Sequence, residues 1–274
     1  LSPPAEHQRA QGALSIAVAR GLDRTRLRDL RQCGCLRACF PRAAGCAVDA
    51  VLLNTSGGIA DGDQLETVLQ AGPGSVLVAA SQAAERVYRA REGAAAARVR
   101  VGVTVGAGAR IDYLPQATIL FDGGALERTL RIDMAADAVY VGVEMLLLGR
   151  AASGEVLRQV RLRDTVMLRR DGRLVLHDSV RLDGRVDAVL GGPATAAGAR
   201  AVASLIYAGP EAGARLNRLR GTLEGLGVLY GASVRDGVVV ARIVAGDGRG
   251  GLRAVAAALG VLRDGMALPL VWSC

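Results

Sequence analysis

The chain is 274 residues long, 51% apolar and 22% charged, long enough for one large domain or a domain with a smaller companion and too apolar for a disordered chain. Its formal net charge is +8, and all 34 of its basic residues are arginine. Lacking lysine, it has neither the amine that a P-loop aims at phosphate nor one for Schiff-base chemistry, and with aromatics at 3% and arginines scattered along its length it lacks the stacking surface of a nucleic-acid binder.

Residues 1–21 do not show the basic segment and apolar run of a secretory leader, and no apolar run reaches the length of a membrane span. The run at 139–149 is too short and carries Glu144. A soluble, cytoplasmic protein is the expectation. The arginine-rich stretch at 24–32 reads as a solvated or partner-facing edge. Four of the five cysteines follow closely, Cys33, Cys35, Cys39 and Cys46, with Cys274 at the end. An odd count argues against a disulfide framework, and the C-x-C-x3-C-x6-C spacing departs from the pairs zinc prefers. Small thiols in a strand or loop are the simpler reading; a metal or redox site is the alternative. The histidines number two, His7 near the start and His177.

The stretch LLNTSGGIADGD, residues 52–63, resembles a glycine loop whose backbone N–H groups cradle an anion. The segment after it alternates like a strand and no helix N-terminus follows, so a sharp strand-to-strand turn on Gly57 and Gly58 fits better. Ser56 has no base nearby in sequence. From about 47 to 182 the chain reads as strands. Residues 97–113 place Val99, Val101, Val103 and Val105 at period two, and Asp171-Gly172 marks a hairpin turn. An internal repeat sets Gly72, Gly74, Gln82 and Ala83 on Gly106, Gly108, Gln116 and Ala117 at an offset of about 34 residues, with a weaker third copy from Met134. A glycine turn followed by an apolar strand, repeated, implies stacked units that cover one another's apolar faces.

Polar residues gather in three further stretches of this region. Residues 81–90 hold Gln82, Glu85, Arg86, Tyr88 and Arg89; residues 112–124 hold Gln116 and Asp122; residues 143–155 hold Glu144, Arg150 and Glu155. Each by itself reads as local pairing of acids with arginines at strand ends. His177, beside Asp178 on a strand, lacks the G-x-S-x-G turn of a serine hydrolase.

Beyond about 191 the order becomes strand, helix, strand, strand, helix. The first helix starts at Pro210-Glu211 and ends at Gly225 or Gly227. The second carries Leu252, Val255, Ala256, Leu259 and Leu262 on one face. The order resembles a ferredoxin-like half-sandwich. The expected fold is therefore mainly β, a layered, solenoid-like β body over 1–190, with a small α+β part over 191–274 that carries two helices and packs on the body.

Taken in order, LLNTSGGIADGDQL, SQAAERVYR, IDYLPQATILFDG, GRAASGE and the terminal ALPLVW are similar to the UreD family of urease accessory proteins, called UreH in some organisms. The resemblance runs from about Arg24 to the C-terminal segment. It implies a non-enzymatic scaffold with no tightly bound cofactor, one that assembles with UreF and the GTPase UreG on the urease apoprotein, in a dimeric hetero-oligomeric complex, and helps deliver nickel to the urease active site. It also implies an internal route for the ion. A conduit has to bind weakly, which suits spaced carboxylates better than histidine clusters. The carboxylates on the motif strands are Asp63, Glu85, Asp122, Glu144 and Glu155, with Arg86, Arg128 and Arg150 as the arginines that could instead pair with them. The chain departs from the family pattern at Asp61, where glycine is usual, at Gln64, at Ala117 for glutamate, at Ser153 for methionine and at Leu270 for arginine. Two other classes of function stay open: a small β-rich hydrolase using His177 and Asp178, and a metal-binding protein built on Cys33, Cys35, Cys39 and Cys46.

Overall fold

Period-two alternation buries one face of a strand and wets the other, and the two sheets of this chain are built on it. In this computed structural model, which describes residues 8–42, 45–150 and 153–273, the outer sheet has seven strands. Their order is β14 (Arg173–Arg185), β13 (Gln159–Arg170), β11 (Ala125–Met134), β8 (Ala97–Val105), β5 (Gln64–Ala71), β1 (Gln11–Arg20) and β2 (Thr25–Gly34). The inner sheet runs β16 (Leu229–Arg235), β17 (Val238–Ala245), β15 (Ala201–Ala208), β12 (Val139–Leu148), β9 (Arg110–Leu114), β6 (Val76–Ser81), β4 (Val48–Asn54) and β3 (Leu36–Cys39). Two short strands, β7 (Glu85–Val87) and β10 (Thr118–Leu120), extend it beside β12. His7 and Cys274 lie outside the described residues.

The chain passes from one sheet to the other and back, and each pass stacks on the last. Ala71 pairs with Val105 and Val105 with Met134 in parallel ladders, and Val76 pairs with Arg110 and Arg110 with Val139. These are the three copies of the sequence repeat, the weak third included, lying rung upon rung. The turns stack as well: Gly74 N donates to Ala107 O at 2.9 Å, and a Cβ on Gly106 would stand 3.0 Å from Pro73 N, so the close approach admits little beyond glycine. The layered, solenoid-like expectation is met.

Between the sheets lies the main core. Leu14, Ile16, Leu69, Val103, Leu130 and Ile132 project from the outer sheet, and Leu77, Ile111, Tyr140 and Leu146 from the inner one. The opposite face of the inner sheet, Val78, Leu114, Val141, Val143 and Met145, is covered by α2 (Ala212–Glu224) and α3 (Gly248–Leu262). Burial on both faces explains why β12 reads VYVGVEMLLL, nearly without polar residues. A third, short helix, α1 (Val186–Leu190), follows β14. The α+β segment after 191 joins the body by backbone pairing: β15 runs antiparallel to β12, so the inner sheet is continuous across that point. α3 is capped by Asp247, whose carboxylate accepts Gly250 N at 2.7 Å. Among the described residues no helix is long and apolar enough to cross a membrane.

Candidate functional site

The LLNTSGGIADGD stretch closes one end of the stack. β4 stops at Asn54, whose side chain organises the turn: its Oδ1 accepts Ser56 N and Oγ, and its Nδ2 donates to Glu85 Oε2 at 3.2 Å. Gly58 has φ 145°, and a Cβ there would meet the Tyr88 ring at 2.5 Å and Arg86 O at 2.9 Å, so glycine is required. Ser56 Oγ lies within hydrogen-bond distance of Asn54 Oδ1 and Gly58 O, 2.6 and 2.8 Å, inside the turn.

Beneath this turn are two adjoining cavities. The outer one, about 150 Å³, lies between 52–58 and 81–86; the inner one, about 90 Å³, lies between the sheets. Leu52, Leu53, Asn54, Ser81 and Glu85 line both. The inner cavity ends among Tyr113, Thr118, Arg128 and Glu144. It has room for several waters or for one ion with part of its hydration shell.

The two carboxylates of this space, Glu85 and Glu144, are poor in donors. Among the described residues Glu85 receives a hydrogen bond from Asn54 alone, and burial pushes its carboxyl above the ordinary value. Glu144 is 7% exposed, and burial pushes it up to about 7 against the pull of Arg128. Its Oε2 stands 2.5 Å from Arg128 Nη1, yet neither of its oxygens has an aligned hydrogen bond. Burial likewise raises the phenol of Tyr113, which faces Glu144.

The other three carboxylates of the sequence reading stand apart from these two cavities, and each accepts two or more N–H groups. Asp63 accepts Ala10 N at 2.8 Å and Ala60 N at 2.7 Å and fastens the loop before β5 to the N-terminal segment. Asp122 accepts Arg158 N, Gln159 N and Arg89 Nη2; burial opposes ionisation, but these donors prevail and hold its carboxyl below the ordinary value. Glu155 accepts the Arg150 guanidinium and backbone and is lowered in the same way. Asp122 N reaches Glu155 Oε1, Tyr88 stacks edge-on to Phe121 at 5.3 Å, and Arg150 lies 4.4 Å above Phe121. The three polar motif stretches thus meet as one clamp across the β7–β10–β12 end. Asp61 is taken by Arg9 and Arg91. Gln116 donates to Val271 O and Trp272 Nε1 to Leu114 O, so the terminal LPLVW segment is tied down beside the inner cavity.

The residue that sequence reasoning passed over is Asp164, which binds Arg128 through two bonds of 3.0 and 2.6 Å. Its signal was parity. In β11 the inward positions read Leu126, Arg128, Leu130, Ile132, and in β13 Val160, Leu162, Asp164, Val166. A charged residue on the buried parity of each of two strands marks a pair across the ladder, and Arg128 and Asp164 are register partners.

The rival sites are not assembled. His177 is exposed, while Asp178 beside it binds Arg242 across the sheets. Cys33, Cys39 and Cys46 are exposed free thiols, Cys35 is half-buried, and among the described residues no group of three or more His, Cys, Asp or Glu is arranged to hold a metal ion.

The family model described as UreD urease accessory protein matches residues 10–273. Similar proteins include the urease accessory protein UreD of Cereibacter sphaeroides, 44% identical over 273 residues that make up 99% of this chain and 98% of that one. Those of a Methylobacterium species and of Rhizobium leguminosarum bv. trifolii are 41% and 40% identical, each over 97% of this chain and over 95% and 96% of their own lengths.

Proposed function

The chain belongs to the UreD family of urease accessory proteins, and from that premise we propose that Glu85 and Glu144 mark a transient nickel route inside its β body. The protein takes part in urease maturation, as a non-catalytic member of the machinery that loads nickel into urease and works with urease and other accessory proteins. In the finer reading it joins UreF and UreG on the urease apoprotein, within a dimeric hetero-oligomer, and passes the ion on. The observation that carries the route is the pair of adjoining cavities with a donor-poor carboxylate in each part, Glu85 where they meet and Glu144 at the inner end. Weak oxygen ligands spaced along a narrow space let a divalent ion enter and leave. Asp63, Asp122 and Glu155 fasten the loops around that space through the N–H groups they accept. Residues 1–190 carry the route, and 191–274 buttress the inner sheet behind it.

The test is urease activation by nickel in the assembled accessory complex. Glu85→Gln and Glu144→Gln, each keeping shape and losing charge, should slow activation about tenfold or more, since each removes a charge that ligates the ion in a low-dielectric space. His177→Ala should activate like the parent. Activation at the parental rate by both glutamine variants would dismiss the route.

A further inference from the structure

We propose that the Arg128 guanidinium is a resident stand-in for the cargo cation, which nickel must displace from Glu144 and which reclaims Glu144 when nickel leaves. This rests on the carboxylate route above. Arg128 and Glu144 are both 7% exposed and Asp164 is 8% exposed, so the three charges share one interior site. Arg128 rises from β11 of the outer sheet and spans the gap to Glu144 on β12 and Thr118 on β10 of the inner one. Its two attachments differ in kind. Toward Asp164 it makes a two-pronged bond, Nε to Oδ1 at 3.0 Å and Nη2 to Oδ2 at 2.6 Å, and Nη1 also donates to Thr118 Oγ1 at 3.1 Å. Toward Glu144 it makes a single close charge contact, Nη1 to Oε2 at 2.5 Å, and among the described residues the buried Glu144 oxygens have no other donor.

That asymmetry defines an exchange. Leaving Glu144 breaks one charge contact of Arg128, whereas leaving Asp164 breaks a two-pronged bond. An arriving divalent ion therefore takes Glu144 while the arginine stays fastened to Asp164, at the wall of the inner cavity that Arg128, Thr118 and Glu144 line together. With no ion present the guanidinium neutralises a carboxylate that would otherwise stand buried and alone, which is strongly unfavourable. With the ion present the tethered positive charge repels it and keeps its stay short.

Nickel binding to the full-length protein, by equilibrium dialysis with the metal alone, separates the possibilities. Arg128→Gln with Asp164→Asn removes the tethered cation and its counter-charge together; nickel should bind at least about tenfold tighter than to the parent, because one buried repelling charge is gone. Adding Glu144→Gln to that pair should cancel the gain. Asp164→Asn alone should act in the opposite direction: Arg128, freed from its fork, settles on Glu144 and nickel binds about tenfold more weakly. This single variant keeps the buried cation paired and serves if the double variant does not fold. Unchanged or tighter binding in Asp164→Asn, or no gain in the double variant, overturns the proposal. If Glu144→Gln still impairs urease activation in that case, the carboxylate route survives and only the role of Arg128 is lost. If neither Glu144→Gln nor Glu85→Gln alters binding or activation, both readings fall.

Discussion

Two buried carboxylates of this chain look alike in sequence and differ in their donors. Asp63 is 4% exposed and holds two backbone N–H groups, while Glu144 is 7% exposed and holds no aligned donor. Asp63→Ala leaves the N–H groups of Ala10 and Ala60 unpaired and should lower the unfolding free energy by about 1–3 kcal/mol, read by urea denaturation. An unchanged midpoint would contradict its role as a fastener. Gly58→Ala should cost roughly 1–3 kcal/mol, since the added Cβ overlaps the Tyr88 ring and the residue adopts a φ that disfavours side chains. It should also disturb the mouth of the outer cavity, visible as altered Tyr88 fluorescence. The unusual Asp61 is accounted for by Arg9 and Arg91, a pairing between segments far apart in the chain. Motif spacing in one dimension could not reveal it, because both partners come from other loops.

Strands and turns were legible because period-two burial and glycine turns are local properties. The helix face was only partly so. Leu252 and Ala256, expected on the same face of α3 as Val255, Leu259 and Leu262, are half-buried, Leu252 packing against the core, while Gly251, Ala254 and Ala258 join the fully buried face. The reason is close approach: a Cβ on Gly251 would stand 2.8 Å from Met145 Cε and 2.9 Å from Ala201 Cβ, so the helix lies on the sheet through its smallest residues. The two helices are also tied by charge, as Arg215 of α2 donates to Asp264 just past α3 at 2.5 Å, and this bond above all holds the Asp264 carboxyl below its ordinary value. A lowered folded value means that the stabilisation is present above the unfolded value and is lost as pH falls through the folded one. Asp264 is 45% exposed, so solvent screens the pair and Asp264→Asn should cost at most about 1 kcal/mol at neutral pH. The difference from the parent should vanish in acid denaturation curves below the ordinary carboxylate range. A gap that persists there would point to packing instead of charge.

Over the whole molecule, the inner sheet is the shared spine. Its strands before and after residue 191 are hydrogen-bonded neighbours, and α2 and α3 cover the far face of β12 and β9. A chain ending at 190 would leave the β12 edge unpaired and Val141, Val143 and Met145 open to water, and it should aggregate more than the full chain, as light scattering would show. A soluble, monomeric 1–190 fragment would mean that the body folds without its buttress. The absence of lysine, the stacked strand units, the two late helices and the family to which the chain belongs were all determined by the sequence itself, because each is carried by residue types, periods or ordered motifs that survive in one dimension. Which of the five candidate carboxylates line the cavities and which accept several N–H groups was decided only by the tertiary structure. Whether a carboxylate is filled or free depends on which N–H groups the fold brings to it, and those come from strands tens of residues away.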